Sequence, residues 1–146
     1  MELKELTTLE EMLAHIDAIR HLYPEMEEEK YVNYLSLMIP HNYKQLAVYD
    51  GDIVAGITGF WKGVKLWSGP YMEIDNFVVH PDYRRKGVGT LMTDYINQKA
   101  ESLEMNMIVL DAYVENFKAH RFYYNQGYAP RGYHFIKILQ PDRLSK

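Results

Sequence analysis

The segment Val78–Thr90 combines residue types that can bind an anion, because it joins a strand to a helix through cations and glycines. In chain order these are Arg84, Arg85, Lys86, Gly87 and Gly89. Free amides at a helix N-terminus carry the positive end of the helix dipole, and glycine lets an anion approach the backbone. Neither a Walker loop nor a dinucleotide fingerprint is present. The segment predicts a diphosphate site, with a glycine turn carrying solvated bases as the alternative.

Two other residue types limit the available chemistry. The chain has no cysteine, which excludes disulfides, a thiolate-bound metal and an acyl group carried on a thiol. The histidines show neither H-x-x-x-H nor H-E-x-x-H spacing, so we predict no metal site. His80 and His120 are interpreted as surface or capping residues. The six histidines are His15, His21, His41, His80, His120 and His134.

The charge is distributed unevenly along the chain. The net charge is −4, of which residues 1–50 carry −6 and residues 51–146 carry +2. An acidic first part suits a cationic acceptor and a basic second part suits an anionic donor, whereas nucleic acid binding would need a strongly basic surface. A solvated acidic helix is the alternative. No apolar run approaches the ~18 residues of a membrane span, and we expect a cytoplasmic protein.

Apolar periodicity and turn signals divide one domain, residues 1–146, into helices and strands. Residues 2–6 alternate like a strand, and Thr8–Glu11 match a capping box that opens a helix ending before Pro24. A second helix is predicted over Glu25–Ile39, with glutamates crowding its first turn. Further strands are predicted over 45–49, 53–61, 71–79 and 107–111, helices over 88–103 and 116–127, a loop over 62–70, and a terminal strand or hairpin over 128–139.

The order of these elements predicts a mixed sheet. Asp50-Gly51 is a two-residue hairpin signal, so the strands on either side of it are antiparallel. The strand, helix and strand between residues 71 and 111 form a parallel pair with a crossover. Trp61, Trp67 and Tyr71 either pack in the core, which we favour, or line a pocket. The predicted class is α/β (mixed α+β), with helices flanking a mostly antiparallel sheet.

Arg84-Arg-Lys-Gly-Val-Gly89 resembles the R/Q-x-x-G-x-G/A acetyl-CoA motif of the GNAT family of N-acetyltransferases. The preceding Val79-His-Pro81-Asp-Tyr-Arg84 matches the family's V-x-P-x-x-R. Asn116 to Tyr128 match its N-x-x-A-x-x-F/L-Y-x-x-x-G-F/Y. The resemblance is strong from Tyr71 to Tyr128 and only architectural in the first fifty residues. It implies the GNAT fold, a twisted mixed sheet of about six or seven strands with a splayed parallel pair and about four helices.

The resemblance implies acetyl-CoA as the co-substrate and assigns residues to it. The pyrophosphate would lie on backbone amides from Arg85 to Thr90, with charge from neighbouring cations. The pantetheine arm would lie between the splayed strands, bonded to backbone of the first of them, where a β-bulge near Asn76 frees an amide that polarises the thioester carbonyl. The implied contacts are Phe77, Val78, Val79, Arg84, Arg85, Lys86, Gly87, Val88, Gly89, Thr90, Asn116 and Tyr123.

The resemblance also implies direct attack of an amine on the thioester, which needs the amine to be neutral. Glu73 and Asp75 are the candidate bases, two residues apart on one face of a strand. We favour Glu73 slightly; the alternative is that one or both carboxylates only attract a cationic substrate. Tyr123 occupies the family's tyrosine position and would donate a proton to the departing thiolate, because a phenol with a pKa of ~10 stays protonated. Tyr124 points elsewhere around the helix.

The predicted function is acetyl-CoA-dependent N-acetylation of a small, cationic primary amine. Protein or peptide N-acetylation is the alternative within the enzyme class, and a catalytically silent acyl-CoA-binding module is the alternative outside it. Glu73, Asp75 and Tyr123 argue against the silent module. No nucleic acid or membrane partner is expected. A homodimer is an open outcome, in which a terminal strand from Tyr133 to Leu139 pairs across an interface.

Overall fold

The computed structural model describes residues 1–146, and its centre is one sheet of five strands. The strands lie in the sheet in the order in which they occur in the chain. The first three pairings are antiparallel and the last is parallel. The fold class predicted from the sequence is therefore confirmed. The strands are β1 (Glu2–Leu6), β2 (Tyr43–Asp50), β3 (Ile53–Lys65), β4 (Gly69–Val79) and β5 (Met107–Leu110).

Five α-helices flank the sheet, and none is long and apolar enough to cross a membrane. The two C-terminal helices are close to their predicted ranges. Asn116 caps the last of them, since its Oδ1 accepts a hydrogen bond from the amide of Ala119. The helices are α1 (Leu9–Leu13), α2 (Ile16–Ile19), α3 (Glu28–Met38), α4 (Val88–Ser102) and α5 (Phe117–Asn125).

The N-terminal helix begins as predicted and ends early. Thr8 and Glu11 form the capping box. The prediction of one helix up to Pro24 is wrong, because α1 and α2 are separated at His15. The His15 ring bonds the Glu11 carbonyl at 2.7 Å and the Tyr49 hydroxyl at 2.5 Å, while the His15 amide donates to Met12. The His15 ring therefore bonds the Glu11 carbonyl, which in a continuous helix would accept a hydrogen bond from the His15 amide.

Apolar side chains cover both faces of the sheet. The α1–α3 side buries Met12, Ile16, Leu35 and Tyr43, and the α4 side buries Phe60, Met72, Met92 and Ile96. Helix α4 lies close to β3 because residue 56 is glycine: a Cβ there would lie 2.7 Å from Val88 Cγ1. The two cores hold β4 between them, with Met72 and Ile74 buried on the α4 side.

The hairpin of β3 and β4 is longer than predicted. The residues assigned to a loop over 62–70 pair mostly as strand, up to Lys65 opposite Gly69. Alternation continues in β3 past Trp61, and Gly63 leaves room for the Tyr71 ring across the pair. Leu66 and Trp67 remain exposed at the tip. Trp67 therefore does not pack in the core, contrary to the favoured interpretation. Trp61 does pack against the core.

The terminal strand predicted over residues 128–139, including Tyr133 to Leu139, is wrong. The sheet has five strands instead of six or seven, and the C-terminal residues lie beyond its edge without strand pairing. Tyr133 and Phe135 are 87% and 90% exposed. Alternating apolar residues form a strand only where a partner strand and a core receive them, and within this chain β5 pairs only with β4.

The contact at Gly56 gives a test of how α4 is seated. We expect Gly56→Ala to lower the free energy of unfolding by about 1–3 kcal/mol, because the added methyl overlaps Val88 and Met92. Urea denaturation followed by circular dichroism measures the change. Gly132→Ala is the control, since its Cβ would have no neighbour within 4 Å. Equal midpoints for the two variants would contradict the close seating of α4.

Candidate active site

Strands β4 and β5 part halfway along β4. Their parallel pairing runs from Tyr71 opposite Met107 to Ile74 opposite Leu110 and then ends. The His80 amide donates to the Ala55 carbonyl of β3. Backbone groups of alternate residues point to opposite edges of a strand, so those of Phe77 and Val79 face the gap beside β4. The backbone of Val78, which the sequence placed with them, faces β3, where Val78 is opposite Ile57.

A β-bulge lies where the gap opens, as the sequence predicts near Asn76. Ile57 is opposite Val78 and Gly59 is opposite Asp75, so Thr58 alone spans Asn76 and Phe77. Asn76 has φ of +53°, in the left-handed region. Asparagine enters this region more readily than most residues. The bulge turns the chain so that Phe77 lies on the opposite side of the sheet from Asp75, against Phe122 of α5.

The Asp75 carboxylate is held by two hydrogen bonds. Its Oδ1 accepts from the Asn76 amide at 2.8 Å and its Oδ2 accepts from the Trp61 indole at 3.0 Å. Both donors belong to the bulge or to the strand paired with it. The Asp75 carboxylate is therefore held in one position at the gap, with both oxygens engaged in protein hydrogen bonds.

The carboxylate of Glu73 differs from that of Asp75 in having no hydrogen-bond partner in the protein. Partial burial raises the pKa of its carboxyl, and the charges of Asp111 and Asp75 raise it further. Lys65 and His134 act in the opposite direction. The pKa of Glu73 is thus raised toward neutral pH, which is the direction a general base requires.

Asp111 is a third carboxylate at the gap, and the sequence analysis missed it. Glu73 is opposite Val109 in the parallel register, so the residue two positions after Val109 lies on the same face as Asp75. The ring of His134 contacts it, with Nδ1 2.9 Å from Asp111 Oδ2. The alternation of 107–111 beside 71–75 could have indicated Asp111, whereas no pattern indicated His134.

The loop before α4 presents unpaired amides. The backbone amides of residues 87–90 donate no hydrogen bond within the protein; the first bond at this end of α4 runs from the Leu91 amide to the Gly87 carbonyl. Gly87 has φ of +80°, and a Cβ there would meet nothing. Arg84, Arg85 and Lys86 are exposed beside these amides. An anion can therefore reach this helix end directly.

The second glycine of the loop has a different surrounding. A Cβ at Gly89 would lie 3.2 Å from Phe122 Cζ and 3.6 Å from Phe77. The absence of a side chain at Gly89 therefore lets α5 pack against α4, a role in addition to the anion approach expected from the sequence. Gln126 strengthens the same contact through a hydrogen bond from Thr93 to its Oε1.

Tyr123 lies on α5 beside the bulge. Its ring centroid is 6.0 Å from that of Phe77 and 5.8 Å from that of Tyr128. Burial raises the pKa of Tyr123 to about 12, so its hydroxyl is protonated at neutral pH and can donate a proton. Tyr124 is 58% exposed and lies on another side of the helix. The described residues form no group of three or more His, Asp or Glu placed to hold a metal ion.

Comparisons with known proteins agree with this geometry. Residues 10–128 match the model of the acetyltransferase (GNAT) family. The chain is 27% identical over 107 residues to an aminoalkylphosphonate N-acetyltransferase of Salmonella typhimurium, a match that covers 71% of this chain and 68% of the relative.

Solved structures of acetyltransferases share the fold. The ribosomal-protein-alanine N-acetyltransferase of Brucella melitensis biovar Abortus 2308 superposes with a TM-score of 0.79 at 18% identity, covering 95% of this chain and all of that one. An aminoglycoside N-acetyltransferase in complex with CoA also gives a TM-score of 0.79, at 11% identity over 95% of each chain. These likenesses establish a shared fold.

The electrostatics of Glu73 predict a pH-dependent gain in stability on its neutralisation. Because folding raises its pKa, the ionised carboxylate opposes folding above that pKa, and this cost disappears below the pKa of the unfolded chain. We expect Glu73→Gln to raise the melting temperature at pH 8, with the gain shrinking toward zero near pH 4. Differential scanning calorimetry across this range measures it. A gain that is constant with pH, or equal to that of the exposed Glu101→Gln, would contradict the assignment.

Proposed function

We propose that this chain, which belongs to the acetyltransferase (GNAT) family, transfers the acetyl group of acetyl-CoA to the primary amine of a small cationic acceptor. The transfer is direct, within a ternary complex. One observation carries the proposal: at the gap between β4 and β5, the first turn of α4 lies beside Phe77 on one face of the sheet, whereas Glu73 and Asp75 lie on the opposite face with Asp111 near Glu73. An anionic donor and a cationic acceptor can therefore meet at the gap.

The loop before α4 supports binding of the donor. The open amides from Gly87 to Thr90 would hold the pyrophosphate, and Arg84, Arg85 and Lys86 supply charge for it or for the 3′-phosphate. Backbone groups of Phe77 and Val79 face the gap, where the pantetheine arm would lie. Asn116 caps α5 and is the further proposed contact of the arm. A relative in fold binds CoA.

The carboxylates support binding and activation of the acceptor. Alkyl ammonium groups must lose a proton before they attack a thioester. Glu73 is the proposed proton acceptor, because it makes no hydrogen bond in the protein and its pKa is raised. Asp75 and Asp111 supply negative charge; attraction of the cation without proton transfer remains the alternative role for Glu73.

Tyr123 supports departure of the thiolate. In the proposed step the amine nitrogen bonds to the carbonyl carbon and the carbon–sulfur bond breaks. The ammonium gives one proton to Glu73 before the attack, and the phenol of Tyr123 gives its proton to the sulfur as the carbon–sulfur bond breaks. The second proton lost by the nitrogen returns to the Tyr123 phenolate through solvent, and Glu73 releases its proton to solvent. A phenol with a pKa of about 12 is fully protonated at neutral pH and is therefore available as the donor.

A second acceptor class is favoured by a specific residue. The Salmonella relative is named for aminoalkylphosphonates, which join an amine to an anionic group. Lys65 lies close enough for its charge to lower the pKa of Glu73, so a cation accompanies the carboxylates and could bind such an anion.

Protein or peptide acetylation, a silent acyl-CoA-binding module, a homodimer and a cytoplasmic location stay predictions.

Release of CoA thiol identifies the acceptor class. We expect the enzyme to release thiol from acetyl-CoA with polyamines or aminoglycosides, and with aminoalkylphosphonates if Lys65 binds their anion. Peptides and amino acids complete the panel, and calorimetry measures acetyl-CoA binding in parallel. Binding without release for every amine would favour the silent module. Failure to bind acetyl-CoA would overturn the proposed function.

The role of Tyr123 has its own test. We expect Tyr123→Phe to lower kcat by roughly 10- to 1000-fold while leaving acetyl-CoA binding nearly unchanged, because only the proton donor is removed. Tyr124→Phe, one residue along the same helix and exposed, should retain wild-type kcat. Unchanged turnover in Tyr123→Phe would remove this residue from the mechanism.

A further inference from the structure

A chain of hydrogen bonds, buried at Gln45 and partly buried at Asn76, ends on the side chain at the bulge. The Tyr43 hydroxyl donates to Asn76 Oδ1 at 2.9 Å, and Asn76 Nδ2 donates to the Tyr23 hydroxyl at 3.3 Å. The Asn76 carboxamide is thereby held at both of its polar atoms. One partner comes from β2 and the other from the segment between α2 and α3.

The direction of the Tyr43 bond is set by a second buried residue. Gln45 Nε2 donates to the Tyr43 hydroxyl at 3.2 Å and to the Tyr31 hydroxyl at 2.9 Å. Since the Tyr43 oxygen accepts from Gln45, its own proton is free for Asn76. Tyr43 is 2% exposed and Gln45 is fully buried, and hydrogen bonds in such surroundings are costly to break.

Residue 59 is glycine where Tyr43 crosses the sheet. Tyr43 lies on β2 and Asn76 on β4, so the tyrosine must pass over β3 to reach the bulge. A Cβ at Gly59 would overlap the Tyr43 hydroxyl oxygen. The chain therefore leaves space on the middle strand for this one contact.

Asparagine at position 76 does more than supply a left-handed backbone. Glycine would adopt φ of +53° at lower cost. The Asn76 carboxamide accepts from one tyrosine and donates to the other, which glycine cannot do. The residue type at the bulge thus matches its two partners as well as its backbone conformation.

We propose that Tyr43 and Tyr23 are positioning residues for acetyl transfer, which hold the Asn76 side chain and so fix the bulge that directs the backbone of Phe77 into the gap. The inference rests on the proposed function, because the bulge matters for transfer only if it frees the amide that polarises the thioester carbonyl. A displacement of about 1 Å at such a group costs on the order of 100-fold in rate. Neither tyrosine needs to touch the substrates to have this effect.

The test compares two variants that remove hydrogen bonds to the Asn76 side chain with one matched control. Tyr43→Phe removes the hydroxyl and leaves Asn76 in place, whereas Asn76→Gly permits the left-handed backbone and removes both side-chain bonds. Tyr49→Phe is the control: Tyr49 is on the same strand, and its hydroxyl bonds His15 instead of the bulge. Measurements are kcat, KM for the amine, acetyl-CoA affinity by calorimetry, and melting temperature.

We expect Tyr43→Phe and Asn76→Gly to lose about 10- to 100-fold in kcat, with acetyl-CoA affinity within about threefold of wild type. Tyr49→Phe should lower the melting temperature without this loss in kcat. An unchanged kcat in Tyr43→Phe, or an equal loss of kcat in Tyr49→Phe, would overturn the inference. The proposed function would still stand in that case, as long as the unmodified protein is active. An inactive wild-type protein would instead overturn the proposed function itself.

Discussion

Backbone groups inside a sheet need hydrogen-bond partners, and the parting of β4 from β5 withholds those partners from the second half of β4. A sheet accepts such an opening only if neighbouring elements hold the two strands in place. Here the bulge at Asn76 shifts the register with β3 by one residue, the pairing with β3 then resumes, and two separate cores hold β4 from its opposite faces. The remaining features of the site lie around this opening.

Small residues determine how closely the other elements approach the opening. Gly56 admits α4, Gly89 admits Phe122 of α5, and Gly59 admits the Tyr43 ring across β3. Each contact would be blocked by a single Cβ. The glycines thus serve packing at least as much as ligand approach. Gly87 is the exception, since its surroundings are open and its backbone is left-handed.

Local signals predicted much of this fold. The capping box at Thr8, the cap at Asn116, the hairpin at Asp50-Gly51 and the crossover to β5 depend on neighbouring residues, which the sequence displays directly. The break at His15 depends on a distant partner, the Tyr49 hydroxyl. Segment 128–139 forms no strand because no partner strand pairs with it. The site divides in the same way. The loop and the carboxylates of β4 follow from spacing, whereas Asp111, His134 and Tyr43 enter through tertiary contacts.

Three features that could serve chemistry lie around the gap between β4 and β5. Asn76 has a left-handed backbone, Glu73 is partly buried near two like charges, and the first amides of α4 have no partners. The left-handed backbone of Asn76 and the partly buried charge of Glu73 oppose folding, and well-packed cores elsewhere must offset both. Under the proposed function each feature has a use at the gap between β4 and β5: unpaired amides would bind an anion, a carboxylate with a raised pKa would take a proton from an amine, and the bulge would direct a backbone amide at the thioester carbonyl.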